Sequence, residues 1–211
     1  MNVGELVTAV QRQFGDDSGV QITRPDIVRW INQAGIDIAR KTECVQDHKQ
    51  ADSVSGDGSY SLPTDFIRMR RVTFNDKVIP STTLDIADQD WMSRDIPSGV
   101  QGTPQYYYIW NSVLYLYPKP SQSSSGNLDI YYVRTPAAVS ADEDIPEIPA
   151  KYHEFIVRYC LSKAKELNDE YDVARTVKVD YESDILDVKD EIARPNSRSY
   201  NAVRLLPGDD W

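Results

Sequence analysis

The side chains of this chain with the clearest chemical potential are two histidines, a knot of carboxylates and three closely spaced arginines. His153, between Tyr152 and Glu154, is of a type that takes protons near neutral pH. Its place at the start of a helix is nevertheless that of a first-turn surface residue, and His48 lies in a polar strand. Asp142, Glu143, Asp144 and Glu147 concentrate negative charge but lack the ligand order and glycine of a calcium loop, so a solvated loop is expected. No glycine-rich phosphate loop, HExxH pair, nucleophile elbow or CxxC occurs. The residues offer no catalytic constellation, no metal set and no cofactor motif, and the expectation is a non-enzymatic protein.

The arginines raise a different question. They fall in YSLPTDFIRMRRVTFND, Tyr60 to Asp76, within a chain of net charge −10. With a strand period of two, Ile67 and Met69 share a face with Arg71, while Arg68 and Arg70 alternate with Val72 and Phe74. Ile67, Met69, Val72 and Phe74 can all point inward only if one extra residue intervenes. A β-bulge at Arg70-Arg71 supplies it, because a bulge shifts the alternation by one. Arg68, Arg70 and Arg71 then reach an edge where they can pair with carboxylates of this chain or of a neighbouring copy. A nucleic-acid patch is the competing reading, opposed by the acidic balance, since neutralising phosphates needs a basic footprint.

Two further patterns are candidate sites. QYYYIWNSVLYLYPKP reads as a hairpin turning at Asn111-Ser112. One face carries Tyr107, Ile109, Leu114 and Leu116; the other carries Tyr106, Tyr108, Trp110, Val113, Tyr115 and Tyr117. The second face can stack bases or sugars, or cover a neighbouring element or subunit. Asp180, Asp184, Asp187 and Glu191 recur at i, i+4, i+7 and i+11 on a helix, where like charges destabilise by roughly 0.2–0.5 kcal/mol per pair. Such a stripe is either a solvated face or a channel wall that DNA passes without sticking.

The elements that position these residues follow from periodicity. Val3, Leu6, Val7, Val10 and Phe14 form one helical face. Thr23 caps a second helix with the stripe Ile27, Trp30, Ile31, Ala34 and Ile38, ending near Thr42. From Glu43 short strands take over, with turns at Asp57-Gly58, Asn75-Asp76 and Asn111-Ser112. Leu84 to Ser93 reads as a short helix or crossover, PSQSSSG as a flexible loop, and Asn127 to Arg134 as a strand. Helical period returns with Tyr152, Phe155, Ile156, Tyr159, Cys160, Ala164 and Leu167. After a break at Asn168-Asp169 it resumes with Ala174, Val177, Tyr181, Ile185, Val188 and Ile192, and Pro195 is expected to end that helix. The fold class is α+β: a four-helix bundle of residues 1–42 and 149–194, an inserted antiparallel β module (a small barrel or sandwich) over 43–148, and an extended tail over 195–211. Cys44 and Cys160 are expected as free thiols in a reducing compartment. The amino terminus lacks the features of a signal peptide, and no stretch approaches the ~20 apolar residues of a membrane span.

In order along the chain, several motifs resemble the head–tail adaptor (head-completion) proteins of tailed bacteriophages. They are the Glu5-Leu6 helix with its acidic loop, Asp26-Ile27-Val28-Arg29-Trp30-Ile31-Asn32, Tyr60-x-Leu62-Pro63-x-Asp65-Phe66-x-Arg68-x-Arg70-Arg71-Val72, Gly102-Thr103-Pro104-x-x-Tyr107, Leu116-Tyr117-Pro118-x-Pro120 and Ile148-Pro149-x-x-Tyr152-His153. The resemblance spans roughly residues 3–190 and leaves the tail outside it. It implies a structural ring, commonly of twelve copies, below the portal protein, with no cofactor. Tail, neck or nozzle proteins dock on such a ring, and double-stranded DNA crosses it without specific binding. It implies assembly in the host cytoplasm and a place at the head–tail junction of the virion. Arg198, Tyr200, Val203, Arg204, Leu205, Leu206 and Trp211 become candidate portal or subunit contacts. A tail-tube or neck ring, and a sugar- or nucleic-acid-binding module built on the aromatic hairpin, are the alternatives.

Overall fold

The computed structural model of the chain describes residues 1–83 and 101–198, the last seven as helix backbone only. Leu84 to Ser93 and the tail candidates Tyr200, Val203, Arg204, Leu205, Leu206 and Trp211 lie outside those residues, as does the side chain of Arg198. The architecture is mixed α+β and divides into two compact units, Met1–Cys44 with Pro136–Trp211, and Val45–Thr135.

The first unit is helical. α1 (Val3–Phe14) buries Val3, Leu6, Val7 and Val10 and leaves Phe14 half-buried. Each fully buried aliphatic of this kind stabilises by about 1.5–3 kcal/mol. Asn2 and Glu5 close a reciprocal capping box at its start, and Gly15 ends it at φ 93°. Asp16 then folds the next loop around itself: its carboxylate accepts hydrogen bonds from the backbone N–H groups of Ile22, Gln21 and Val20 and from the Ser18 hydroxyl. α2 (Arg24–Thr42) begins at the Thr23 cap and stops at Thr42, burying Ile27, Trp30, Ile31, Ala34 and Ile38.

A short 3-10 turn (Ala150–Tyr152) leads into α3 (His153–Leu167), and Asp169 at φ 60° turns the chain into α4 (Tyr171–Arg198). α3 packs against α1, α2 and α4, and α2 also meets α4. Ala174, Tyr181, Ile185 and Val188 of α4 are buried. The Tyr181 hydroxyl donates to Asp37 of α2 at 2.6 Å, and its ring meets Tyr159 of α3 edge-on at 5.5 Å.

Two expectations for this unit are corrected. His153 is not a surface residue: it is 1% exposed, with Nε2 donating to the Ile148 carbonyl at 2.8 Å. Its Nδ1 accepts from the Met1 amino group at 2.8 Å, so both ring nitrogens are satisfied and the imidazole can lie inside the helix packing as a neutral group. Pro195 does not end α4, which runs on to Arg198. Proline removes one N–H donor, but its fixed φ is helical and the backbone continues past it.

Among its described residues the second unit holds nine strands: β1 (Gln46–Ser53), β2 (Ser59–Ser61), β3 (Phe66–Phe74), β4 (Lys77–Ile79), β5 (Gln101–Gly102), β6 (Tyr106–Trp110), β7 (Val113–Tyr117), β8 (Lys119–Pro120) and β9 (Ser124–Arg134). They form sheets in the orders β1-β9-β3-β4, β2-β7-β6 and β5-β8, with no closed barrel among the described residues. The core unites inward side chains of the first two sheets, with Val72, Phe74, Leu114, Leu116, Leu128 and Ile130 at its centre.

Asn75-Asp76 and Asn111-Ser112 turn their hairpins with positive φ at both residues, as type I′ geometry requires. Asp57-Gly58 does not make a hairpin. β1 pairs with β9 and β2 with β7, so the segment crosses between sheets, and long-range pairing outweighs the local turn signal. The serine run is also not a loop throughout: Ser124, Ser125 and Gly126 begin β9, held by Asp52, which accepts from the Gly126 N–H at 2.7 Å and the Ser125 hydroxyl at 2.9 Å.

Candidate interaction surfaces

β3 departs from regular pairing twice. Phe66 faces Arg134 and Arg68 faces Val133, leaving Ile67 extra; Met69 faces Tyr132 and Arg71 faces Tyr131, leaving Arg70 extra. The second bulge is the one the residue pattern requires. It puts Met69 on the core side with Val72 and Phe74, while the first bulge brings Phe66 there in place of Ile67, which was expected to face the core and is instead the extra residue. The first bulge was not legible, because one irregularity already accounts for the alternation of Met69 and Val72.

Arg68, Arg70 and Arg71 are all exposed. Arg71 lies over the Tyr131 ring, 4.3 Å from its centroid, and His48 stacks on the same ring at 4.7 Å. The strand order makes this a row across the sheet: His48 on β1, Tyr131 on β9, Arg71 on β3. An exposed cation over an aromatic face contributes about 0.5–1 kcal/mol, enough to orient the guanidinium rather than to hold the fold.

The neighbouring row is Gln50, Asp129, Thr73 and Val78. Asp129 accepts from His48 Nε2 at 2.9 Å, Gln50 Nε2 at 3.2 Å and Thr73 Oγ1 at 3.2 Å. The His48 bond, with those from Thr73 and Gln50, holds its carboxyl below the usual carboxylate range. Val78, 63% exposed, completes the row. The sheet's outward face is thus a patch of planar and cationic groups beside one bare aliphatic. The alternation in NLDIYYVR, which opposes Asp129 and Tyr131 to Leu128, Ile130 and Tyr132, is the signal that could have located it.

The aromatic hairpin has the expected register, Trp110 opposite Val113 and Tyr106 opposite Tyr117. Tyr107, Leu114 and Leu116 are buried; Ile109, directly opposite Leu114, is exposed, lying on the edge strand β6 while Leu114 lies on the central β7. On the other face Tyr108 stacks on Tyr115 at 5.0 Å, while Tyr106 and Trp110 are exposed, Trp110 at 59%. The exposed rings thus lie at the two ends of β6, Trp110 beside the turn and Tyr106 at the far end, with the stacked pair between them.

The four carboxylates of α4 divide. Asp184 is ion-paired with Arg158 of α3, and Glu191 meets Lys151 at 2.7 Å. Asp180 and Asp187, one turn away from each partner, stay exposed. Arg158 precedes Asp184 by twenty-six residues and belongs to another helix, so the pairing had no local signature.

Of the residues read for catalysis, His153 is enclosed and His48 is joined to Asp129. Asp142 pairs with Arg24, and Asp144 caps the Ser140 and Ala141 N–H groups, so both work in the loop itself. No group of His, Cys, Asp and Glu among the described residues has the arrangement to hold a metal ion. Cys44 and Cys160 are free thiols, and burial pushes both upward in pKa, away from reactivity.

No curated protein matches the chain significantly. A family description does, and its match runs past residue 190 into the segment that the residue-level resemblance had left outside. Covering residues 1–204, it places this chain in the SU10 adaptor protein family.

Proposed function

We propose that this protein is a ring-forming adaptor that joins the portal vertex of a phage head to its neck or tail and extends the DNA channel. Membership of the family makes it a structural adaptor of a phage particle, with other capsid or tail proteins as its partners. The observation that carries the proposal is the extent of the match, residues 1–204, which takes in both units and so favours a whole-chain role over a borrowed domain. In this reading the four helices of the first unit act as a bundle that builds a ring of about twelve copies, as the resemblance implies. The second unit and residues 195–211 supply contacts to portal and tail proteins.

A channel for DNA must not adsorb it. The net charge of −10 suits such a passage, because phosphate binding depends on cationic groups that release counterions. Of the stripe Asp180, Asp184, Asp187 and Glu191, only Asp180 and Asp187 have charge not already engaged by Arg158 or Lys151, so the channel reading rests on the overall balance. Among the described residues, no helix is long and apolar enough to cross a membrane.

Electron microscopy of the protein mixed with its portal tests the proposal directly. A ring seated on the portal with an axial opening is the expected result. A chain that remains monomeric and never joins the portal refutes it. A ring found lower, in the neck or tail tube, would keep the structural role and move its place.

A further inference from the structure

A ring requires each copy to present two different complementary surfaces, one for the copy on each side. Two faces of this chain have that character. On α4, the side opposite the buried stripe carries Thr176, Val179, Ser183, Leu186 and Asp190, edged by Asp180 and Asp187, all exposed. Val179 and Leu186 are each 62% exposed, seven residues apart on one line of the helix. The acidic groups on the helix flanks are already occupied: Glu182 by Lys41, Asp184 by Arg158 and Glu191 by Lys151. Among the described residues Asp180 and Asp187 form no ion pair, and the exposed Arg175, Lys178 and Lys189 of the same helix fall on its other flank, across Val179 and Leu186.

The outward face of β3 and β4 has the opposite sign and the same mixture. Arg71 is held over Tyr131, the bulge sets Arg68 and Arg70 alongside, and Val78 stands exposed. We propose that this sheet face of one copy docks on the outward ridge of α4 of a second copy, Arg71 meeting Asp180 or Asp187 while Val78 covers Val179 or Leu186. The inference rests on the ring-adaptor reading and names the surfaces that close the ring. Aliphatic contact supplies the burial, and the charges set partner and register. Tyr131 and His48 limit the directions Arg71 can take, so little of its freedom remains to be lost on docking. A wall meant only to repel DNA has no use for Val179 and Leu186.

The test is charge reversal in the full chain. Arg71→Glu sets acid against acid at every contact, and the double variant Asp180→Arg, Asp187→Arg sets base against base whichever carboxylate Arg71 meets. Each is expected to raise the dissociation constant of self-association by on the order of a hundredfold, read by sedimentation velocity and electron microscopy. A one-to-one mixture of the two variants restores rings, since each sheet then meets a helix of opposite sign. All three side chains are exposed, and an unchanged circular dichroism melt separates lost assembly from lost folding. Rings of normal stability from either variant alone overturn the inference, as does a mixture that fails to assemble. Wild-type chains that stay monomeric even with portal would refute the ring reading and this interface together. If wild type retards duplex DNA in a gel and Arg71→Glu abolishes it, the arginines serve phosphate and the interface assignment falls.

Discussion

Replacing Tyr181 with phenylalanine removes one oxygen from a side chain that ties three helices together. Its ring is 2% exposed, its edge meets Tyr159 of α3, and its hydroxyl donates to Asp37 of α2 at 2.6 Å. Burial, with the Asp37 carboxylate beside it, pushes the phenol far above its usual pKa, so it remains a donor at every working pH. A hydrogen bond to a charged acceptor contributes about 1.5–3 kcal/mol. The lower end applies, because the same Asp37 oxygen keeps Lys41 at 2.8 Å and water can reach the half-exposed carboxylate. Tyr181→Phe is therefore expected to cost about 1.5 kcal/mol. Tyr181→Ala loses the ring as well and is expected to cost about 4 kcal/mol, within the range for large-to-small changes at aromatic core sites. Urea denaturation followed by helix ellipticity measures both. Asp37→Asn completes a double-mutant cycle, whose coupling of about 1 kcal/mol isolates the bond. A Tyr181→Phe variant as stable as wild type would refute the pairing. A Tyr181→Ala cost below about 2 kcal/mol would refute the packing of α4 on α2 and α3.

Other outcomes follow from the same physics. Asp16 is held at about 2 against an ordinary 3.8, chiefly by the Ile22 N–H. Its depressed value contributes stability that is complete above 3.8 and is lost as pH falls toward 2, so Asp16→Asn lowers the melting temperature at neutral pH and flattens its decline across that acid window. Trp110→Ala leaves unfolding free energy within about 0.5 kcal/mol, because the ring lies largely in solvent. If the wild-type hairpin binds an oligosaccharide or oligonucleotide in titration calorimetry and this variant does not, the aromatic face is a ligand site rather than a protein contact. Truncation after Arg198 is expected to preserve the thermal melt and weaken capture by immobilised portal; undiminished capture refutes a docking role for the tail.

Local chemistry announced some of these features and was silent about others. The stripes of α1, α2 and α4 were legible because burial on one side of a helix leaves a 3.6-residue trace in the chain itself. The turns at Asn75 and Asn111 were legible because few residues accept positive φ in succession. Asp57-Gly58 carried the same signal and misled, since a turn residue reports local backbone freedom and not which strands pair across seventy residues. His153 looked like a surface residue because its partner, the Ile148 carbonyl, is a backbone atom with no side-chain signature. The acidic stripe was readable as spacing. Its division into engaged and bare carboxylates depends on Arg158 and Lys151, which only the packing of α3 beside α4 brings near. The Arg71–Tyr131–His48 row likewise needs β1, β9 and β3 in order, a long-range fact.

The bulge in β3 is the point where residue pattern and structure can be tested against each other most sharply. Arg70 and Arg71 are identical, so deleting either yields the same strand, IRMRVTF. If Arg70 is the extra residue, the shortened strand pairs regularly: Met69 keeps Tyr132, the remaining arginine keeps Tyr131, and Val72 keeps Ile130. Every inward side chain stays inward, and the expected cost is within about 1 kcal/mol, mostly lost contacts of one arginine. If the strand were instead regular, the deletion would slip its register and turn Phe66 and Met69 to the opposite face. Each is half-buried against the core, so exposing both would cost about 2–4 kcal/mol together. Denaturation midpoints separate these outcomes. A large loss would refute the bulge. A small loss would show that the second arginine is present for what lies outside the fold, and a shortened strand that folds but no longer assembles would tie it to a partner.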